Sequence, residues 1–185
     1  MKVLGIGGGP QPGSTTEVAL STALESSRRA GAGIDRITGP QLRLPFYDPG
    51  DPERVPEARQ LVEAVAEADG LIIASPGYHG TVSGLVKNAL DYIEDLRDAE
   101  PCYLEGRAVG CIAVAQGWQA AVMTMCALRD IAHALRGWPT PYGAAVNRSQ
   151  EPFANGACVD EAVSEQLALV GDQVVAFAGR PAECS

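Results

Sequence analysis

Three short apolar runs constrain the fold of this chain more than any other feature: Val3-Leu4-Gly5-Ile6, Leu71-Ile72-Ile73-Ala74 and Val109-Gly110-Cys111-Ile112-Ala113-Val114. Each lacks polar alternation and is bounded by glycine or a turn residue, the pattern of strands buried on both faces of a parallel sheet. Between the runs lie helical stripes. Leu20 and Leu24 mark the first, Leu61, Val62 and Val65 the second, and Leu85, Ala89, Ile93 and Leu96 the third. A further helix is expected to end near Leu135, and Val163, Leu167, Val170, Val174 and Phe177 repeat at alternating steps of four and three. Strand and helix alternating at this spacing predict βαβ units with right-handed crossovers. Weaker strands are expected over residues 34–37 and 144–146. Five strands and about five helices favour a doubly wound α/β sheet of five parallel strands in the order 2-1-3-4-5, with helices on both faces. At 185 residues, the expectation is a single domain over 1–185. The Pro- and Gly-rich segments 40–56 and 137–152 read as loops, because neither side of them could build a core alone.

Charge narrows the partners. With 23 acidic and 14 basic residues the net charge is -9, the wrong sign for sequence-independent binding to nucleic acid or anionic lipid. No stretch approaches the roughly 18 apolar residues of a membrane helix, and the first apolar run meets glycine too soon for a secretory leader. The expectation is a cytoplasmic protein. Its five cysteines (Cys102, Cys111, Cys126, Cys158, Cys184) form no CxxC pair, which argues against a disulfide framework and against a zinc site.

In an open α/β sheet, ligands sit beyond the carboxyl ends of the strands, so the loops after Ile6, Ala74 and Val114 carry the interest. The first reads Gly7-Gly8-Gly9-Pro10-Gln11-Pro12-Gly13-Ser14-Thr15-Thr16. Glycines that let backbone approach a ligand, followed by three hydroxyls at a helix N-terminus, suit a phosphate. The loop is not a Walker loop, having no Gly-Lys-Ser/Thr, and it lacks GxGxxG spacing. A capping box from Ser14 to Glu17 with no ligand explains the same residues, and both readings stay open here.

The second loop reads Ser75-Pro76-Gly77-Tyr78-His79-Gly80-Thr81-Val82-Ser83-Gly84, leading into Leu85-Val86-Lys87-Asn88-Ala89-Leu90-Asp91. A tyrosine between Gly and Pro just after a buried strand is placed to stack on a flat ligand. Ser-Pro-x-Tyr-x-Gly followed by Gly-x-x-Lys-Asn-x-x-Asp resembles the flavin loop of the NADPH-dependent FMN reductase family, whose members have a flavodoxin-like fold. The resemblance runs from residue 1 to about 138 and includes Leu44-Pro45-Phe46-Tyr47-Asp48. It implies that Ser14, Thr15 and Thr16, with backbone from Gln11 to Gly13, hold the FMN phosphate. It assigns Pro76, Gly77, Tyr78, His79 and Gly80 to the isoalloxazine ring, His79 through its backbone N–H. Gly9 and Gln11 depart from the family, which usually has serine and then a cation at these positions. Losing a charge-assisted contact of about 1.5–3 kcal/mol predicts modest FMN affinity. Gly77 departs too, many relatives carrying glutamate; the missing side chain either opens room over the ring or relaxes the turn. For Lys87 and Asp91 an i,i+4 ion pair is the simpler account, and for Asn88 a tie to the preceding loop.

The third loop, Ala115-Gln116-Gly117-Trp118-Gln119-Ala120, maps by the same resemblance to the flavin edge, giving Gln116, Gly117 and Trp118. Trp118 fits a ring cover, a substrate pocket, a subunit interface or ordinary half-buried packing. Neither His79 nor His133 sits in a nucleophile motif, and no carboxylate pair or metal cluster appears at useful spacing. That suits chemistry carried by a cofactor. The resemblance implies an NAD(P)H-dependent FMN reductase or oxidoreductase: hydride passes from NADPH or NADH to flavin N5, then reduced flavin or electrons go to a partner monooxygenase or a quinone-like acceptor. It also implies a homodimer or homotetramer. The alternative is a flavodoxin-like FMN electron carrier without nicotinamide chemistry, which the Lys-Asn helix of the second loop disfavours.

Overall fold

A strand buried on both faces must pair its backbone with other strands, and the three apolar runs pair with one another. In the computed structural model, which describes residues 1–179, β1 (Lys2–Gly7) is followed by α1 (Thr15–Arg29), β2 (Gly33–Thr38) and α2 (Pro56–Glu67). Then come β3 (Gly70–Tyr78), β4 (Thr81–Val82), α3 (Gly84–Asp91), β5 (Ala108–Ala115) and α4 (Trp118–Ala134). The chain closes with β6 (Trp138–Pro139), β7 (Ala144–Asn147), a hairpin of β8 (Phe153–Ala154) and β9 (Ala157–Cys158), and α5 (Glu161–Ala178). Cys184 lies outside the described residues; Cys102, Cys111, Cys126 and Cys158 are unpaired. Among the described residues no helix is long and apolar enough to cross a membrane.

Parallel pairing places Val3 opposite Ile34 and Gly70, and Gly70 opposite Ala108, giving the order β2-β1-β3-β5-β6. The sheet has seven strands, not the five expected, and two local causes explain the difference. At the outer edge, Trp138–Pro139 pairs with Ala108 and Val109, and Ala144–Asn147 pairs with Ile112 through Ala115. Residues 140–143 therefore stand opposite only two positions of β5 and bulge out, at a stretch where Pro139 and Pro141 supply no N–H to a ladder. At the other site, β3 continues through Pro76, Gly77 and Tyr78, where a loop was expected, and turns back into β4. His79 (φ 51°) and Gly80 (φ 88°) form the two-residue turn, the positive φ values that such hairpins require.

Alternation along each strand divides the core between two faces. Leu4, Ile6, Leu71, Ile73, Val109 and Cys111 pack toward α2, α3 and α4. Val3, Ile72, Ala74, Ile112 and Val114 pack toward α1 and α5, where Leu20, Leu24, Leu167, Val170 and Val174 are buried. Full burial of each such Leu, Ile or Val contributes about 1.5–3 kcal/mol. Gly171 allows α5 to cross α1 closely, since a Cβ there would stand 2.2 Å from the Ala23 carbonyl oxygen. The stripe from Leu85 to Leu96 is not one helix: α3 ends at Asp91 and a 3₁₀ segment, Tyr92–Leu96, carries Ile93 and Leu96.

Candidate functional site

The carboxyl ends of β1, β3 and β5 meet at one rim. Gly7 leaves β1 at φ 145°, and a Cβ there would fall 1.9 Å from the Ala74 carbonyl oxygen, so only glycine fits. Gly8 N–H donates to that same oxygen at 3.1 Å, tying the first loop to β3. Ser14 caps α1, its Oγ accepting from Glu17 N at 3.3 Å and Gly9 N at 2.8 Å. A hydroxyl has two acceptor sites and one proton. Both sites are filled, and among the described residues the Ser14 O–H has no acceptor, so it stays available as a donor. The backbone N–H groups of Thr15 and Thr16, in the first helical turn, have no intrahelical acceptor. The cap and the anion cradle are thus compatible: the same serine closes the helix and keeps a donor.

Glu17 completes the cap differently from a standard box. Its carboxylate accepts from Gly13 N at 2.8 Å and from the Thr38 hydroxyl at 3.1 Å. Gly13 N–H is therefore taken, and Gly13 faces a groove of about 550 Å³ along the flank of α1 instead of the rim. That groove is larger than the clefts at the rim, but the convergent donors lie elsewhere.

At the rim, a cleft of about 420 Å³ is lined by Gln11, Ser14, Thr15 and Thr16 from the first loop, Pro76, Gly77 and Tyr78 from β3, and Gln116. A second cleft of about 520 Å³ holds His79, Gly80, Gly117, Trp118 and Met123, and Gln116 lines both. Both volumes suit a small-molecule ligand. Of the residues assigned to the flavin from the sequence, all but Pro12 and Gly13 border one of these two clefts. Tyr78 and Trp118 are half exposed, at 52% and 51%. Tyr78 stands on the β3–β4 ribbon, held by Ser75, whose buried Oγ donates to the Pro76 carbonyl and accepts from Ser83 N at 3.0 Å.

Gly77 neither opens the ring side nor relaxes the turn. A Cβ would lie 2.5 Å from Thr124 Oγ1 and 2.9 Å from Ala115 Cβ, so its bareness lets α4 pack against β3. Asn147 and Arg148, which the motif pattern does not reach, flank the third loop. Asn147 Oδ1 accepts from Gly117 N at 2.8 Å and from the Ser149 N and Oγ at 3.0 and 2.7 Å, fixing a loop whose Gly117 has φ 98°. Arg148 lines the 420 Å³ cleft. Asn147 ends β7 and Arg148 directly follows it, and the rule that ligands gather beyond strand carboxyl ends extends to that position.

Lys87 pairs with Asp91 at 2.6 Å. Asn88 ties the loop after β2: its Oδ1 accepts from Tyr47 N at 2.9 Å, and its Nδ2 donates to the Pro45 carbonyl at 2.8 Å. Arg54 clasps that loop by stacking over Tyr47 and Tyr92 and pairing with Asp95 at 2.7 Å. The Arg54 guanidinium holds the Asp95 carboxyl below its ordinary range. Burial pushes the Cys111 thiol up to about 12, which makes it a core filler and no nucleophile.

The doubly wound sheet thus brings the capped start of α1 and the aromatic ribbon after β3 to one rim at the strand ends. Comparison with known proteins carries this further. The NADPH-dependent FMN reductase family matches residues 1–151, and the chain belongs to it. A 2-hydroxy-1,4-benzoquinone reductase from a Burkholderia species is 30% identical over 141 residues, covering 72% of this chain and 74% of the relative. An FMN-dependent NADPH-azoreductase from Staphylococcus haemolyticus is 29% identical, covering 74% and 71%. Among solved structures, a flavoenzyme NAD(P)H:(acceptor) oxidoreductase from Paracoccus denitrificans superposes with a TM-score of 0.73 at 20% identity, covering 96% of each chain. An oxidoreductase from Corynebacterium diphtheriae gives 0.72 at 18%, covering 96% and 97%. A flavodoxin from the domain Archaea gives 0.63 at 10%, covering 97% and 100%, so the fold is flavodoxin-like.

Proposed function

We propose that the chain is an NAD(P)H-dependent FMN oxidoreductase working as one flavodoxin-like domain, and that the 420 Å³ cleft holds the flavin. The observation that carries this reading is the convergence, within the family match, of the available Ser14 O–H and the free Thr15 and Thr16 N–H groups with the ribbon that bears Tyr78. Donors of this kind fit a phosphate, and the exposed Tyr78 face fits a planar ring. FMN would supply the redox centre, accepting hydride from the nicotinamide and passing electrons on. The chain's own residues bind and orient. Gln11, Ser14, Thr15 and Thr16 take the phosphate end; Pro76, Gly77 and Tyr78 take the ring end, with Gln116 between the clefts. His79, Gly80, Gly117 and Trp118 frame the adjoining space for nicotinamide or a flat acceptor.

The two relatives named above are a quinone reductase and an azoreductase, which favours a planar, electron-poor acceptor over delivery of reduced flavin to a monooxygenase. We place the enzyme in the cytoplasm, where reduced nicotinamide and unpaired thiols are maintained. Trp118, Val122 and Met123 expose an apolar row on α4 that fits a second subunit in a homodimer. The test is NADPH oxidation with FMN supplied, comparing a benzoquinone, an azo dye and no acceptor. Acceptor-dependent oxidation above a protein-free control is expected, with the quinone fastest; oxidation no faster than that control overturns the proposal.

A further inference from the structure

The first loop lacks a cation at Gln11, yet a phosphate monoester is a dianion or close to one at neutral pH. We propose that Arg148, which lines the same cleft, supplies that cation and binds the flavin phosphate, an inference that rests on the FMN reading above. Arg148 opens the 3₁₀ turn Arg148–Gln150 directly after β7. It lines the same cleft as Gln11, Ser14, Thr15 and Thr16. A neighbouring hollow of about 390 Å³ again joins Arg148 to Thr15 and Gln116, and Glu151 lines it too. Arg148 thus lines two hollows together with Thr15 of the first turn of α1. Its position is built: Asn147 accepts from Gly117 N and Ser149 N, so the segment carrying Arg148 is pinned to the third loop.

Arg148 is exposed, and among the described residues its guanidinium has no hydrogen bond or ion pair. Arg43 also reaches the first loop, but it is engaged with the Pro10 carbonyl at 3.0 Å and does not line the cleft. Glu17, the carboxylate nearest in sequence to the cradle, is occupied by Gly13 N and Thr38. A planar guanidinium that shares a cleft with N–H and O–H donors suits a phosphate. In this chain the cation has moved from the first loop to the far end of the sheet.

Titration of wild type, Arg148→Gln and Gln11→Arg/Arg148→Gln with FMN and with riboflavin, followed by Tyr and Trp fluorescence, tests this directly. Arg148→Gln should weaken FMN about ten- to a hundredfold, leave riboflavin unchanged and flatten the dependence of FMN binding on salt; Gln11→Arg should restore affinity. Equal FMN affinity in wild type and Arg148→Gln overturns the inference, as does an equal loss for riboflavin, which would mark a structural role. A change confined to NADPH over NADH also overturns it, assigning the residue to the nicotinamide's phosphate. Failure of wild type to bind either flavin would overturn the FMN reading itself.

Discussion

Gly77 shows how one residue can carry an element's placement. Overpacking there is expected to cost about 1–3 kcal/mol, because Thr124 and Ala115 lie where a side chain would go. Gly77→Ala should lower Tm by several degrees and weaken FMN together, since α4 carries Trp118 at its first turn; an unchanged Tm would show that α4 does not press on this position. Gln11→Arg alone should tighten FMN about tenfold or more by adding a charge-assisted contact, and unaltered affinity would place the phosphate elsewhere. That Ser14, Thr15, Thr16 and Tyr78 come to one cleft was legible in the sequence, because each belongs to a local motif at a strand end. Gly77 and Arg148 were not, since the meaning of each depends on elements distant in the chain.

At the scale of elements, the buried strands and amphipathic helices were legible because burial on two faces and on one face leave different periodicities. The additions were smaller. The β3–β4 ribbon hides behind Pro76, Gly77 and Gly80, which read as a loop, and the only local signal for the β8–β9 hairpin is Asn155-Gly156, whose φ values of 51° and 75° suit a two-residue turn. The loop after β2 depends on tertiary pairing: Arg54 with Asp95, and Asn88 with residues 45 and 47. Because the folded state lowers the Asp95 pKa, its stabilising contribution is present above the unfolded carboxylate value and is lost as pH falls through the lower folded value. Hydrogen exchange over residues 44–55, corrected for intrinsic rates, should therefore accelerate below about pH 4, and Asp95→Asn should remove that pH dependence. A pH-independent wild type would contradict the clasp. Likewise Asn147→Ala should leave Gly117 N–H without its acceptor, a cost of about 1–3 kcal/mol, and increase the mobility of Trp118 in fluorescence anisotropy. Unchanged anisotropy would deny Asn147 its hold on the third loop.

For the whole molecule, the net charge of -9 is the background against which any anionic cofactor must bind. An acidic chain holds a phosphate through oriented N–H and O–H donors and a few well-placed cations, and the strand ends gather both at one rim. The family match, the doubly wound sheet and the cleft meet at that rim. The most direct test is anaerobic: protein with one equivalent of FMN, mixed with NADPH while the visible flavin band is recorded. The account predicts bleaching much faster than for free FMN and NADPH, followed by recovery when a quinone is added. Bleaching at the protein-free rate would contradict it.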